Sequence, residues 1–335
     1  MARQIDEFVA AWEALSGSDC AGGWRGIPVT PVGSCELLAA RRFPGNEEAL
    51  LTCFPSARLA PSERLPEGKG FEVVRADPNG DGKTWIALSR KESGSPELFA
   101  EMVGDVARAM DAEVQNGEAC VLKTMLRRVR MWQQFMSRGT PPLGPEAELG
   151  LAGELTFMSL LLQAGVSTET VLEGWLGPDD APQDFALGDG AVEVKATLST
   201  AGFPVKIGSL EQLDDATASP LFLAAVRFSR GAEGSTLPEV ISGIERQLAD
   251  IPAAVAFIRE RLLTAGYVES HASAYTRTFE FKEIRVYGVT RDFPRLTTGS
   301  VPDGISRAIY EIDLDRAKDF LTDLPAALSS LGVLQ

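Results

Sequence analysis

Hydrophobic positions change period along the chain, and these changes divide it into segments. Residues 5–15 repeat at helical spacing, and residues 96–138 do so again as two helices. Short strand-like runs bounded by glycine and proline lie between them, at Cys35–Ala39, Ala49–Phe54, Gly70–Arg75 and Lys83–Ser89. The pattern predicts three parts: a small β-rich N-terminal domain over 1–92, a helical connector over 93–140 and a larger domain over 141–335.

Helices and strands alternate within the larger domain. Its first helix is expected from about Pro145 to Ala164, with an apolar face formed by Leu151, Leu155, Met158 and Leu162. The further predicted strands are 171–175, 184–187, 191–197, 221–228, 276–290 and 308–314. The further predicted helices are 209–218, 237–265 (which Pro252 kinks or splits) and 316–331. We therefore predict a mixed α/β (α+β) fold.

The charge balance restricts the partners of the protein. Lys and Arg total 32 against 47 Asp and Glu, a net charge of −15, so general affinity for a polyanion is not expected. One basic stripe stands out on the helix near residue 130, because no acidic residue occurs from Val121 to Arg138. Its exposed positions are expected to be Lys123, Arg127 and Arg130. This stripe is either a solvated helix face or a surface that contacts DNA phosphates.

Other features of the sequence bear on location and chemistry. No apolar run reaches the about 18 residues that cross a bilayer, and the first residues show no secretory pattern. Four scattered cysteines, Cys20, Cys35, Cys53 and Cys120, suggest reduced thiols. We therefore expect a cytoplasmic protein without a membrane partner. Because His271 is the one histidine, carboxylates, lysines or hydroxyls must perform any chemistry.

Three charged residues are predicted to meet on a β-hairpin. In the strand Ala191–Thr197, alternation places Val194 on one face and both Glu193 and Lys195 on the other. Asp184 lies at the start of the neighbouring strand, across a Gly-Asp-Gly turn, and a suitable register brings it close to Glu193. Adjacent carboxylates repel each other unless a proton or a cation lies between them. Mg²⁺, which prefers oxygen ligands, is the expected ion.

This constellation resembles the PD-(D/E)XK nuclease superfamily, with Pro182-Gln-Asp184 followed by Glu193-Val-Lys195 as its signature. Glu154 in the preceding helix resembles the acidic residue of the first core helix. Gln212 is similar to a glutamine that some members carry on the second core helix. The element order over 145–228 is similar to the restriction-endonuclease-like αβββαβ core with its mixed sheet. The segment Phe279–Leu296 resembles a bacterial family of PD-(D/E)XK motif proteins linked to restriction and phage defence.

The resemblance implies a Mg²⁺-dependent endonuclease that hydrolyses DNA, with Mn²⁺ as a substitute ion. Asp184, Glu193 and the carbonyl of Val194 would bind the ion, and Glu154 would complete the coordination. Lys195 would orient or activate a water molecule, and Gln212 would position a phosphate or a water ligand. Other subunits of a restriction or defence system are implied partners. A homodimer is also an expected assembly, because cleaving both strands usually takes two active sites.

Each site residue also has a structural interpretation. Glu193 and Lys195 could form an exposed pair on a strand, and Asp184 could be a turn residue. Glu154 and Gln212 could be ordinary polar residues on helix surfaces. The alternative function is therefore a non-catalytic DNA-binding or scaffolding subunit of a larger defence complex. An enzyme that acts on another phosphodiester, such as tRNA, is a third hypothesis.

Overall fold

The computed structural model describes residues 5–17, 22–137, 141–179, 181–216, 218–231 and 233–334. The chain forms two compact units, Met1–Pro141 and Pro142–Gln335. Each unit combines helices with a β-sheet, so the predicted mixed α+β class is confirmed. Within these described ranges, no helix has the length and apolar character that crossing a membrane requires.

The first unit is an antiparallel sheet accompanied by three helices. Its strands are β1 Gly23–Val32, β2 Cys35–Phe43, β3 Glu47–Phe54, β4 Phe71–Ala76 and β5 Thr84–Arg90. They lie in the spatial order β1-β2-β3-β5-β4. The helices are α1 Ile5–Leu15, α2 Pro96–Ala112 and α3 Glu118–Ser137. The sequence did not predict β1, which contains Pro28 and Pro31. An edge strand tolerates residues without an N–H because one of its sides is not paired.

Buried polar contacts fix the helices of this unit. Trp12 of α1 donates a hydrogen bond from Nε1 to the carbonyl of Ala49 on β3 at 2.9 Å. Arg128 of α3 makes a two-pronged ion pair with Asp105 of α2, at 2.6 and 2.7 Å. Trp132 Nε1 donates to the same carboxylate at 2.8 Å. The apolar face of α3 is buried at Leu122, Met125, Val129 and Trp132.

The thiols of the described residues agree with the sequence. Cys35, Cys53 and Cys120 are free, as their spacing predicts. Cys20 lies outside the described residues.

The second unit is built around a mixed sheet. Its strands are β6 Phe185–Leu187, β7 Gly190–Thr197, β8 Pro204–Ile207, β9 Leu221–Ser229, β10 Ser235–Thr236, β11 Thr278–Gly288, β12 Tyr310–Asp313 and β13 Leu321–Thr322. Its helices are α4 Pro145–Gln163, α5 Thr168–Gly174, α6 Leu237–Gln247, α7 Pro252–Thr264 and α8 Leu324–Ser330. The main sheet has the order β10-β11-β9-β7-β6, and β13 pairs with β11. Strands β7 and β9 are parallel, and the other described pairs are antiparallel. Strands β8 and β12 form a separate ribbon.

Both faces of the main sheet are covered. On one face, Val192 and Val194 of β7 join a core with Leu155 of α4. Helix α4 approaches closely, because a Cβ added to Gly153 would lie 2.8 Å from the Cβ of Ala196. On the other face, residues of β9 form a second core with the β8–β12 ribbon. Since side chains alternate along a strand, Glu193 and Lys195 lie on this second face.

Two elements of the predicted core are wrong. Residues 168–174 form helix α5 instead of part of a strand, because Ser167 Oγ accepts a hydrogen bond from Thr170 N and caps the helix. Residues 209–216 form turns instead of a helix. Side chains there bind nearby backbone, with Ser209 accepting from Glu211 N and Asp214 from Ala216 N. Such local bonds compete with helix formation.

The C-terminal predictions are partly right. The long helix expected over 237–265 is divided into α6 and α7, with Pro252 at the first position of α7. The strand expected over 276–290 is β11. The single helix expected over 316–331 is wrong, because 3-10 turns and β13 precede the short helix α8. Asp323 caps α8 by accepting from Ala326 N.

The buried pair in the first unit leads to a stability prediction. Replacing Arg128 by Met removes the two-pronged partner of the Asp105 carboxylate and leaves it with the weaker ion pair to Arg108 at 4.0 Å and the indole N–H of Trp132. We therefore expect a decrease of about 3 kcal/mol in the unfolding free energy. Arg127→Met is the matched control, because Arg127 is exposed on the same helix and should cost less than about 1 kcal/mol. Chemical denaturation measures both. Equal effects of the two substitutions would contradict the role assigned to the pair.

Candidate metal centre

The β6–β7 hairpin brings Asp184 to Glu193. Phe185 of β6 pairs with Val192 of β7, so the preceding residue, Asp184, lies opposite Glu193. The amide N–H of Val194 donates to Asp184 Oδ2 at 2.8 Å and fixes that carboxylate. The tight turn at Gly188 has a positive φ of 55°, which suits glycine, and it sets this register. The approach of the two acids therefore follows from the turn and from the alternation of side chains.

Glu193 and Lys195 form a buried ion pair on β7. Lys195 Nζ lies 2.5 Å from Glu193 Oε1, and the side chain of Glu193 is only 1% exposed, against 19% for Lys195. Glu193 Oε2 is buried and has no hydrogen-bond partner among the described residues. A buried carboxylate oxygen without a partner costs free energy. A ligand at this position would remove that cost.

Glu154 of α4 approaches the same place from the helix. Trp175 Nε1 donates to Glu154 Oε2 at 2.7 Å. A Cβ added to Gly177 would lie 2.5 Å from Glu154 Oε2 and 3.2 Å from Asp184 Oδ1. The two carboxylates therefore face one small space, which the absence of a side chain at Gly177 leaves open.

Burial shifts the protonation of all three acids. It raises the pKa of Glu154 to about 8, and the nearby charge of Asp184 adds to the rise, against Trp175 and Lys195. Burial also raises the pKa of Asp184, although the charge of Lys195 and the hydrogen bond from the Val194 N–H both lower it. Burial and the charge of Asp184 raise the pKa of Glu193 well above its usual range. The protein thus holds three acids where their negative charge is unfavourable.

Lys195 remains a cation in this setting. Burial alone would lower the pKa of its ammonium group, but the charges of Glu193, Asp184 and Glu154 outweigh burial and raise it. The side chain is therefore a positive charge beside the acids.

The chemistry of this group fits a hard divalent cation. Three carboxyl groups face one ammonium, one carboxylate oxygen is unpartnered, and an ion between them would offset their repulsion. In the described part of the chain, no three His, Cys, Asp or Glu side chains already stand in a metal-holding arrangement. Mg²⁺ commonly binds one or two carboxylates and keeps several water ligands. Asp184 and Glu193 with a backbone carbonyl would suffice.

Gln212 lies in a loop next to this group. Its Oε1 accepts from Gly208 N at 2.7 Å, so the side chain holds its own loop. The same loop is tied to the hairpin by Gln183, whose Nε2 donates to the carbonyl of Glu211 at 2.9 Å. Gln183 directly precedes Asp184 and is buried. The link between loop and hairpin therefore comes from Gln183.

The basic stripe of α3 belongs to the first unit. Lys123, Arg127 and Arg130 are exposed there. Arg130 pairs with Glu63 at 2.5 Å, so part of its charge is offset within the unit.

Sequence reasoning missed three residues around the acids: Trp175, Gly177 and Gln183. Trp175 is fully buried in the core of the second unit. Its indole N–H, however, reaches a carboxylate. One signal was available, since a buried tryptophan needs an acceptor for its N–H. Nothing in the sequence indicated which acid that would be.

Comparison with known proteins gives one match. No curated protein and no solved structure matches the chain. A family model does match it, over residues 8–315, which is most of its length and includes both units. The chain therefore belongs to the family described as "Putative PD-(D/E)XK family member (DUF4420)".

Proposed function

We propose that the protein is a Mg²⁺-dependent endonuclease that hydrolyses DNA phosphodiester bonds in a restriction or phage-defence system. One observation carries the proposal: Asp184, Glu193, Lys195 and Glu154 interact as one group, with Glu193 fully buried and the other three half-buried, in a member of a PD-(D/E)XK family. An exposed strand pair or a helix-surface acid would not show this burial. The family relationship gives the nuclease-like character, and DNA is the proposed substrate.

A restriction-endonuclease-like core is the architecture we propose around the site. Helix α4, the β6–β7 hairpin and the parallel strand β9 supply a helix and three strands of that core. The turns over 209–216 stand where its second helix would be. The site depends on α4 and the hairpin, and both of these are present.

The residues suggest a division of roles. Asp184, Glu193 and the carbonyl of Val194 would hold the ion, with Glu154 completing the site directly or through water. A bound Mg²⁺ would polarise the scissile phosphate and lower the pKa of a water molecule. Lys195, a cation held by Glu193 at 2.5 Å, would orient that water and offset charge on the phosphate in the transition state. Gln212 would act at the edge of the site.

The distribution of charge indicates how DNA would be held. Residues 142–335 contain 15 Lys and Arg against 28 Asp and Glu, a net charge of −13, whereas residues 1–141 carry −2. The unit with the proposed active site would repel a polyanion over most of its surface. We therefore assign DNA contact to Lys123, Arg127 and Arg130 of the first unit, or to other subunits. A homodimer would supply two active sites for two strands.

The same charge distribution favours one alternative function. A non-catalytic scaffolding or DNA-binding subunit would not use the nuclease-like unit to hold DNA, so an acidic second unit also fits this function. The group of acids argues against it, because Glu193 is fully buried and all three acids have raised pKa values, and a scaffold has no need to keep charged groups where they are costly. Cleavage assays distinguish these alternatives.

The first prediction from the proposed function concerns activity. Asp184→Asn and Lys195→Ala should each reduce Mg²⁺- or Mn²⁺-dependent plasmid nicking by about 10²–10³-fold or more, because each removes a group that stabilises the transition state. Asp189→Asn, on the same hairpin, and Lys206→Ala, an exposed lysine, are the matched controls and should retain activity. Circular dichroism would establish that all four variants fold.

Three results would count against the proposal. Unchanged nicking in both site variants would assign the cleavage to a contaminant or to another site. Absence of cleavage under every condition, together with Mn²⁺ binding, would favour a partner-activated enzyme or the scaffold. Cleavage of tRNA but not DNA would change the substrate class.

The second prediction concerns stability and pH without metal. The pKa of Glu154 is about 8 in the folded protein, against about 4.5 in the unfolded chain. Between these pH values the folded protein keeps a proton on Glu154 that the unfolded chain has lost. The unfolding free energy therefore falls as the pH rises from about 4.5 to about 8. Glu154→Gln should therefore increase the unfolding free energy at pH 8, on the order of 1–3 kcal/mol, and change little at pH 5. Denaturation in EDTA measures this. Glu173→Gln, at an exposed glutamate of α5, is the control. Equal changes in the unfolding free energy of the two variants would contradict the raised pKa of Glu154.

The third prediction concerns the basic stripe. A triple substitution of Lys123, Arg127 and Arg130 by Ala should weaken binding to duplex DNA and make it less dependent on salt. The logarithmic slope should fall by about 0.9 for each DNA phosphate that the variant no longer neutralises. A control triple substitution of Arg25, Lys69 and Lys83 by Ala removes the same charge from other exposed positions. Fluorescence anisotropy at several salt concentrations compares them. If both triple variants bound DNA equally weakly, the effect would come from the lower positive charge in general and not from contacts of the α3 stripe.

A further inference from the structure

The segment Trp175–Asp179 lies directly beside the candidate metal centre. The amides of Leu176 and Gly177 both donate to the carbonyl of Asp184, at 2.7 and 3.0 Å. These bonds attach the segment to the residue that begins the β6–β7 hairpin. Any shift of the segment would therefore also move Asp184.

Trp175 connects this segment to Glu154. Its side chain is fully buried, and its indole Nε1 donates to Glu154 Oε2 at 2.7 Å. An indole nitrogen can only donate, so the bond always presents a positive end to this carboxylate. Burial of the ring would be equally possible with phenylalanine. The N–H is useful only because a carboxylate faces it.

Arg261 of α7 holds Trp175 from the other side. Its Nη2 donates to the carbonyl of Trp175, and its Nη1 pairs with Asp179 Oδ2 at 2.6 Å. Its guanidinium carbon lies 5.9 Å from the centre of the indole ring. The guanidinium group of Arg261 thus binds both ends of the segment. The ammonium group of a lysine lacks the planar, multiple N–H donors that allow these two bonds at once.

Gly177, in the middle of the segment, lies very close to the carboxylates of Glu154 and Asp184, so a small shift of the segment would change the space between them. A Cβ there would lie 2.5 Å from Glu154 Oε2 and 3.2 Å from Asp184 Oδ1. Its backbone does not need glycine, because its φ is not in the positive region. The glycine therefore keeps a side chain out of the space between the two acids.

We propose that Trp175, held by Arg261, is a positioning residue that fixes Glu154 beside Asp184 and so maintains the affinity of the site for a divalent cation. This inference rests on the proposed function. Partners of metal ligands orient those ligands, and their removal typically weakens metal binding by about 10- to 100-fold. Trp175 would act through Glu154 and would touch neither ion nor DNA.

Calorimetric titration of the metal-free full-length chain with MnCl₂ tests this without an activity assay. Trp175→Phe should raise the dissociation constant for Mn²⁺ by about 10- to 100-fold. Trp85→Phe is the matched control, because Trp85 is also buried and its Nε1 also donates to an aspartate, Asp81, at 3.2 Å. The control should leave the dissociation constant unchanged.

Two further variants reach the same readout if Trp175→Phe does not fold. Arg261→Lys should weaken Mn²⁺ binding, whereas Arg259→Lys, two residues away and paired with Glu245, should not. Gly177→Ala should weaken binding by filling the space, whereas Gly150→Ala, in open surroundings on α4, should not.

A double substitution separates positioning from mere stability. On a Glu154→Gln background, Trp175→Phe should cause no further decrease in Mn²⁺ affinity, because its effect passes through that carboxylate. A full additional decrease would overturn the proposal. Equal Mn²⁺ affinity of Trp175→Phe and the unaltered protein would overturn it while the proposed function stands. An unaltered protein that binds no Mn²⁺ would overturn both.

Discussion

The close grouping of three carboxyl groups around one ammonium, one of them fully buried and two half-buried, is the constraint on which the second unit depends. Glu154, Asp184 and Glu193 come from a helix and two strands, and each has a raised pKa in the metal-free protein. Hydrophobic packing cannot favour such a group, since charges lose hydration when buried. It persists because the surrounding structure holds it, with α4 packed on β7 and the β8–β12 ribbon covering the face of Glu193. Under the proposed function, a divalent cation among these acids would offset the repulsion between them.

The parts of this site that follow from local periodicity could be predicted from sequence. Alternation along β7 and a tight turn at Gly188 determine that Glu193 and Lys195 share a face and that Asp184 lies opposite. The resemblance to a known superfamily added Glu154, which no local pattern would relate to residues so much later in the chain. Helix α5 and the turns over 209–216 could not be predicted in this way. Their conformations are decided by individual side chains such as Ser167 and Asp214 bonding to nearby backbone, and hydrophobic period does not report such bonds.

The two units differ in net charge, which is −2 for residues 1–141 and −13 for residues 142–335. The acidic unit contains the candidate metal centre, and the nearly neutral unit contains the exposed basic stripe of α3. An active site that meets its anionic substrate through a bound cation needs little positive surface of its own, since the ion supplies the local attraction. Affinity and chemistry can then reside on different surfaces. This explains how a chain with a net charge of −15 can belong to a family related to nucleases.

The protonation of Lys195 is linked to the same electrostatics. Its pKa is raised in the metal-free protein because Glu193, Asp184 and Glu154 outweigh the effect of burial. A divalent cation among those acids would offset most of their negative charge, and less negative charge around an ammonium group lowers its pKa. The amine would then become a better proton acceptor only when the ion is present. Whether Lys195 orients a water molecule or takes its proton would therefore depend on occupancy of the site, and the 2.5 Å contact with Glu193 Oε1 would keep its nitrogen in place for either role.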